Sequence, residues 1–410
     1  MSAPLDDITI VEVDSYMAAP SAGAILADLG ANIIKVEPLS GDPLRGLSRP
    51  IKKEDMEEAK RNYDYGFDVD NRGKKSIAVA LDKPEGAELV RKLVAGAQVF
   101  MCNLLVKRQE KFGLDPQTLF AVKPDLVHAT LTGYGTTGSD AWRPGYDVTA
   151  FFGRSGLYDA MREGEEGVVP MARPAQGDNT TGLAFAGAIM AALRMAERSG
   201  EGQVVETSLY ETAVWTQATD YAVTANDLAP VRKRGRKEML AITANRFPCG
   251  DGKWVVFNML PDPAYWSRMC QAIGVEDLID DERFVDSSSR YRNMEALIDI
   301  IDTALAAKSR DEWGEIFDKA GLIWGPVLAL HEVPQDQQAI DLGMFPKVHH
   351  PDIGDYRSVN IPMRFANADV KPQGPAPEIG EHSLEILQGS GFDESQIKTL
   401  IEDGIVGTGS

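Results

Sequence analysis

Cysteine and histidine are scarce in this 410-residue chain: three of the first, Cys102, Cys249 and Cys270, and five of the second. The cysteines are odd in number and far apart, which suits buried thiols in a reducing compartment and excludes a disulfide framework. His349-His350 is the one histidine cluster and reads as a solvated loop pair, so no metal site is expected. Long apolar runs are missing too. The longest, Ala184 to Leu193, is interrupted by Arg194, and the opening Ser2-Ala3-Pro4-Leu5-Asp6-Asp7 lacks the basic-then-apolar pattern of a leader. A cytoplasmic protein without a membrane partner is therefore expected. Positive charge is also short: 42 Lys and Arg face 62 Asp and Glu, a net charge of -20. That balance argues against a nucleic-acid or anionic-membrane partner, though not against a small anion held by local basic groups.

What is present is ample for packed cores. With 43% hydrophobic and 25% charged residues the chain is an ordinary globular one, long enough for two or three domains. Its first half alternates β-rich runs with small-residue helices. Ile8–Val13 leads to a helix from Pro20 to Leu29 stopped by Gly30, then to the strand Ile33–Val36. Ser76–Leu81, a helix from Pro84 to Ala95, Gln98–Met101 and Leu126–Leu131 continue the pattern. Such alternation predicts an α/β fold with a parallel sheet covered by helices and ligands at the carboxyl ends of its strands. A turn at Gly200–Gln203 precedes the strand Val204–Ser208 and a helix from Leu209 to about Ala225. Then the character changes. Arg232-Lys233-Arg234-Gly235-Arg236-Lys237 reads as a solvated linker, with a phosphate contact as the alternative. Beyond it, Gly250-Asp251-Gly252-Lys253 between two β-rich runs signals a hairpin. Helices over Ala264–Ile273 and Tyr291–Ala307 follow, and a third opens at the capping box Ser309-Arg310-Asp311-Glu312. The proline-rich stretch from Ile361 to Glu381 is expected to run extended before a last short helix.

Asp178 is the candidate nucleophile. It stands in Gly177-Asp178-Asn179-Thr180-Thr181-Gly182 ahead of a small-residue helix, where a ligand can approach closely and unpaired helical N–H groups favour the ionised carboxylate. The competing reading is a plain N-cap. A dinucleotide fingerprint, Gly133-Tyr134-Gly135-Thr136-Thr137-Gly138, follows a strand but is succeeded by Ser139–Gly145, which cannot open a helix. NAD binding is set aside on that ground, although Glu37 sits where a ribose-binding acid would.

Several segments in order resemble family III CoA-transferases of the CaiB/BaiF type. They are Leu5-Asp6-Asp7-Ile8, Ala19-Pro20 through Glu37, Gly41-Asp42-Pro43-Leu44-Arg45, Asn71–Ile77, Lys83–Gly86, Gly133–Gly135, Gly177-Asp178 and Gly200–Gln203. Gly133 to Gly153 is most similar to the branch that handles 2-hydroxyacyl and aryllactate substrates, within a family that also holds formyl-CoA transferases. The resemblance implies a Rossmann-like large domain made from both chain ends, a smaller inserted α+β domain, and an interlocked homodimer. The corresponding ranges are 1–225, 226–325 with the basic linker, and 326–410 as the return segment.

The resemblance also implies chemistry. Asp178 would attack an acyl-CoA thioester, with acyl-aspartyl anhydride and aspartyl-CoA intermediates, and a carboxylic acid would be the acceptor. Backbone N–H groups near Asp178 and Gly133–Gly135 would stabilise each oxyanion. Coenzyme A would be a substrate, with no permanently bound cofactor. Its nucleotide end would meet Met17, Ala18, Val79, Ala80, Leu81 and Asp82. Asn103, Leu104, Leu105, Lys111, Arg143, Pro144, Gly145 and Tyr146 would line the path to the thioester. Tyr16 and Met17 are expected as pocket walls. Pro38 departs from relatives that carry an arginine for the adenine end, with Arg45, Lys74 or Lys75 as substitutes. The formyl-CoA transferases' glycine-rich substrate loop is absent, which disfavours formyl or oxalyl substrates. The alternatives are an α-methylacyl-CoA racemase, for which Gly145-Tyr146-Asp147 offers tyrosine where a histidine base is needed, and a non-catalytic CoA-binding protein.

Overall fold

The computed structural model describes residues 2–47, 51 and 55–409. The chain forms two compact units, one of residues 1–157, 171–226 and 340–410, the other of residues 158–170 and 227–339.

The larger unit is built on six parallel strands: β1 (Thr9–Val13), β2 (Asn32–Glu37), β3 (Lys75–Val79), β4 (Val99–Cys102), β5 (Val127–Thr132) and β6 (Gln203–Ser208). Their order across the sheet is β3-β2-β1-β4-β5-β6, and the short C-terminal strand Val406–Gly407 adds antiparallel to β3. Runs such as VFMC in β4 and VHATLT in β5 are buried at every position, as strands covered on both faces must be. The order reverses direction between β1 and β4, so the loops leaving their carboxyl ends part there and open a crevice.

Three helices of this unit have sequences that explain their places. Every residue of α1 (Ala18–Asp28) is buried. α2 (Pro84–Ala95) starts on proline, ends on Gly96 and buries Leu89, Val90, Leu93 and Val94. The long α3 (Gln176–Ser199) packs against α1. A Cβ at Gly182 would lie 1.9 Å from Ser21 Oγ and 2.7 Å from the Ala18 carbonyl oxygen, so only glycine permits this approach. The expected helix Leu209–Ala225 is two helices, Leu209–Thr216 and Ala218–Asp227, broken at Gln217.

The proline-rich stretch runs without regular structure, tied by Asp68 Oδ1 accepting from Ala376 N (2.9 Å) and Ser76 Oγ accepting from Gly380 N (3.0 Å). Two helices follow it, Ser383–Gly389 and Glu394–Glu402, where one was expected. His349-His350 is not a solvated loop. It ends the hairpin strand Lys347–His350, which pairs with Gly354–Arg357; the His350 ring packs edge-on against Tyr63 with centroids 4.9 Å apart.

The smaller unit holds an antiparallel sheet of β7 (Arg246–Pro248), β8 (Trp254–Phe257) and β9 (Trp324–Val327). Because β9 pairs with β8, this unit takes in residues beyond 325, and 158–170 group with it. Its core gathers Phe247, Phe257, Trp266, Met269, Ile298 and Phe317. The capping box is formed: Glu312 Oε2 accepts from Ser309 N at 2.9 Å, and Ser309 Oγ accepts from Glu312 N. The basic run is not a free loop. Arg232 pairs with Glu238 (2.8 Å), Lys233 with Asp159 (2.9 Å), Lys237 with Glu295 (2.8 Å) and Arg236 with Asp302, so four of its five cations are ion-paired within this unit.

Candidate active site

At the carboxyl ends of β1, β4 and β5 lies a cavity of about 540 Å³. It is lined by the loop Ser15–Ala18, by Asn103–Leu105, by Thr132-Gly133, by Pro144–Val148 and by Asp178. Of the residues singled out from sequence, Met17, Ala18, Asn103, Leu104, Leu105, Pro144, Gly145, Tyr146 and Asp178 share this cavity. Val79, Ala80, Leu81, Asp82, Lys111 and Arg143 are not in its lining. Val79 and Ala80 are buried beside the C-terminal strand, with Ala80 N donating to Ile405 O at 2.8 Å. Lys111 is exposed on the helix Val106–Phe112, and Arg143 lies 5.7 Å from the Tyr134 ring centre.

Asp178 is the third residue of α3 and not its cap, since the helix begins at Gln176 after Ala175, which holds a left-handed φ of 78°. The first bond of the regular ladder runs from Asn179 N to Ala175 O at 2.9 Å, so the N–H groups of Gln176, Gly177 and Asp178 precede it and stay available as donors. By contrast the Gly135 N–H is taken by Thr132 Oγ1 at 2.9 Å, which removes it from the expected oxyanion donors.

Gly177 explains the Gly-Asp pair. A Cβ there would lie 2.7 Å from Phe151 Cγ and 2.9 Å from Asp147 Cβ, so glycine lets α3 start directly on the π-helical segment Asp147–Gly153. That seating sets Asp147 next to Asp178. Asp147 is buried, its Oδ1 accepts from Val148 N at 2.6 Å, and its Oδ2 has no hydrogen-bond partner. Burial, and then the charge of Asp147, push the Asp178 carboxyl up to about 7. Burial and the charge of Asp147 thus oppose the expected preference for the ionised form, and among the described residues no hydrogen bond reaches the Asp178 oxygens. The result is a half-buried carboxyl with both oxygens open to a ligand.

The loop after β1 is clamped from three sides. Asn103 Nδ2 donates to Ser15 O (2.7 Å) while Asn103 Oδ1 accepts from Ser15 N (3.3 Å). Asp42 Oδ1 accepts from Tyr16 N (3.1 Å), and Lys35 Nζ donates to the Asp14 carbonyl oxygen (3.4 Å). Tyr16 sits at φ 66°, and its ring meets Tyr146 edge-on with centroids 5.5 Å apart.

Three residues proposed as substitutes for the missing arginine are engaged elsewhere. Arg45 is bonded to Glu37 (2.7 and 2.9 Å) and to Pro377 O (2.9 Å), which also occupies the acid considered for a ribose. Lys74 is buried against Glu12 at 2.7 Å, and Lys75 pairs with Glu385 at 2.7 Å. Sequence reasoning missed Arg108, which lines the cavity; among the described residues no carboxylate pairs with it. It also missed Asp147 as the neighbour of Asp178. Among the described residues no cluster of three His, Cys, Asp or Glu is placed to hold a metal, and no helix is long and apolar enough to cross a membrane.

The profile of CoA-transferase family III matches residues 5–383. The chain belongs to CoA-transferase family III. As a CoA-transferase it uses coenzyme A, carried as a thioester, and an acid as substrates. It is 29% identical over 405 residues to the (R)-2-hydroxy-4-methylpentanoate CoA-transferase of Clostridioides difficile, covering 98% of this chain and 99% of that protein. Against the cinnamoyl-CoA:phenyllactate CoA-transferase of Clostridium sporogenes it is 30% identical over 407 residues, with 97% and 95% covered. The crystal structure of a CAIB/BAIF family protein from Brucella suis superposes with a TM-score of 0.84 at 30% identity, covering 95% of this CoA-transferase and 100% of that chain.

Proposed function

We propose that this CoA-transferase moves CoA from an acyl-CoA donor to a carboxylic acid through covalent intermediates on Asp178. The observation that carries the reading is the Asp178 carboxyl, free of hydrogen bonds among the described residues and facing a cavity at the strand switch point. An Asp178 oxygen attacks the thioester carbonyl, the C–S bond breaks, and CoA leaves as thiolate from an acyl-aspartyl anhydride. The thiolate then attacks the aspartyl carbonyl, which releases the donor acid and leaves an aspartyl-CoA thioester. The acceptor carboxylate attacks that thioester to give a second anhydride and free thiolate. Attack of the thiolate on the acceptor's acyl carbon yields the new acyl-CoA and restores Asp178. The N–H groups of Gln176 to Asp178 are the nearest donors for the tetrahedral oxyanions.

The cavity supports an apolar acyl group. Met17, Leu44, Leu104, Leu131, Val148 and Leu209 line it, and two of the proteins it resembles are named for 2-hydroxy-4-methylpentanoate and phenyllactate. Met17, Ala18, Asn103 to Leu105 and Pro144 to Tyr146 would meet the pantetheine arm and thioester. Leu81, Asp82 and Arg143 would serve the nucleotide end, with Arg108 taking a phosphate contact in place of Lys111. No bound cofactor enters this scheme. Two copies would interlock, each with a large domain from both chain ends and an inserted smaller one. The exposed Trp215 (78%) and Val223 (60%) on adjoining helices of the larger unit support a partner surface there. A cytoplasmic setting fits three buried free thiols.

The test is trapping. Incubation with acyl-CoA followed by hydroxylamine or borohydride should modify Asp178, as read by mass spectrometry, and Asp178→Ala should abolish transfer. Deuterium exchange at the substrate α-carbon with Asp178 unmodified would replace this reading with racemisation.

A further inference from the structure

Beneath the cavity floor lies a cluster of buried charges that the transfer chemistry does not use. Lys35 Nζ, fully enclosed, is 3.1 Å from Asp42 Oδ2, 3.4 Å from Asp14 Oδ1 and 3.6 Å from Glu12 Oε1. Beside it Lys74 pairs with Glu12 at 2.7 Å. Two cations thus face three acids with no water-accessible surface, a costly arrangement that persists only if geometry compensates.

Its outlet to the cavity is Asp42. One oxygen faces Lys35, while the other accepts from the backbone N–H groups of Tyr16 (3.1 Å) and Leu44 (2.9 Å). Tyr16 holds a left-handed backbone conformation that residues with a Cβ seldom adopt without outside support. Its ring, packed edge-on against Tyr146 at 5.5 Å, forms part of the wall around Asp178. We propose that Asp42, anchored by Lys35, is a positioning residue that holds Tyr16 in this conformation and thereby sets which acyl groups the cavity prefers. The inference rests on the transfer reading above, since it concerns the acid presented to Asp178.

The chain of support is short: Lys35 fixes the carboxylate, the carboxylate fixes the Tyr16 peptide, and that peptide aims the ring. Without Asp42, Tyr16 relaxes to an ordinary backbone and the aromatic wall is lost, while Asp178 on α3 keeps its place.

The experiment measures kcat and KM with 3-phenylpropanoate and propanoate as acceptors in the wild type, Tyr16→Ala, Asp42→Ala and the double variant. Asp42→Ala should lower the preference for the phenyl acid about tenfold through KM, as Tyr16→Ala should. The double variant should lose no more than either single one. Asp42→Asn, whose amide oxygen can still accept from Tyr16 N, should recover part of the preference. If Asp42→Ala fails to fold, Lys35→Met/Asp42→Ala removes both charges and leaves the Lys74–Glu12 pair intact. Folded variants that keep the wild-type preference, or losses that multiply in the double variant, would overturn the proposal while trapping at Asp178 continues. A wild type that transfers CoA to neither acid and shows no Asp178 adduct would overturn the transfer reading and this one together.

Discussion

Asn103 grips the peptide of Ser15 at both ends, donating to its carbonyl oxygen at 2.7 Å and accepting from its N–H at 3.3 Å. The bond pair joins the loop after β4 to the loop after β1 across the point where the sheet reverses direction, so one side chain fixes the width of the crevice. Two backbone bonds to one amide are together worth about 2 kcal/mol. Asn103→Ala should therefore raise KM for acyl-CoA on the order of tenfold and change kcat much less, as steady-state kinetics would show. An unchanged KM would mean the crevice is held by other contacts.

The acidity of Asp178 gives a pH signature. Burial first, and Asp147 second, place its carboxyl at about 7, and only the ionised form attacks a thioester. Transfer measured as kcat/KM should thus rise with pH through about 7 and level off above it. Asp147→Asn removes the second cause and leaves the first, so the profile should move to lower pH without reaching the ordinary carboxylate range. Near-identical profiles for wild type and Asp147→Asn would remove Asp147 as a tuner of the nucleophile.

Arg108 and Lys111 sit on one short helix, yet only Arg108 reaches the cavity lining. Arg108→Ala should weaken acyl-CoA binding by roughly tenfold, the worth of one charged hydrogen bond. Lys111→Ala should change KM less than twofold. Titration of each variant with CoA decides between them, and a larger loss for Lys111 would restore the assignment made from sequence.

The parts legible in sequence are those that local pattern governs. Strands β1 to β5 showed because parallel strands buried at nearly every position read as short apolar runs with helices between them, β6 showed through its β-branched residues after the Gly200–Gln203 turn, and α2 was bounded correctly by Pro84 and Gly96. Asp178 showed through its glycine and its family context. Long-range pairings did not. Nothing local says that Asp42 holds Tyr16 or that Asp147 stands beside Asp178; each depends on which segments the fold brings together. The basic run from Arg232 looked solvated because three of its acidic partners, Asp159, Glu295 and Asp302, are about 60 or more residues away in sequence. His350 was misjudged for the same reason, its aromatic neighbour being Tyr63.

Asp70 yields a stability prediction of definite sign. It is buried, and burial, opposed by Lys74 and reinforced by the charge of Asp178, pushes its carboxyl up to about 8. In the unfolded chain the same group titrates near its ordinary value of 3.8. Between those two values the folded protein holds a proton that the unfolded chain has released, so the unfolded state binds fewer protons and stability falls as pH rises. The loss from this group stops above about pH 8, where both states are ionised. Asn is close in shape to the protonated acid and cannot ionise, so Asp70→Asn should melt slightly above the wild type at pH 5 and by several degrees more than that at pH 8. Thermal midpoints measured at both pH values for both proteins give the comparison. If the difference between the two proteins is the same at each pH, Asp70 is already ionised in the folded state, and the burial that raises it is offset by a contact stronger than the one to Lys74.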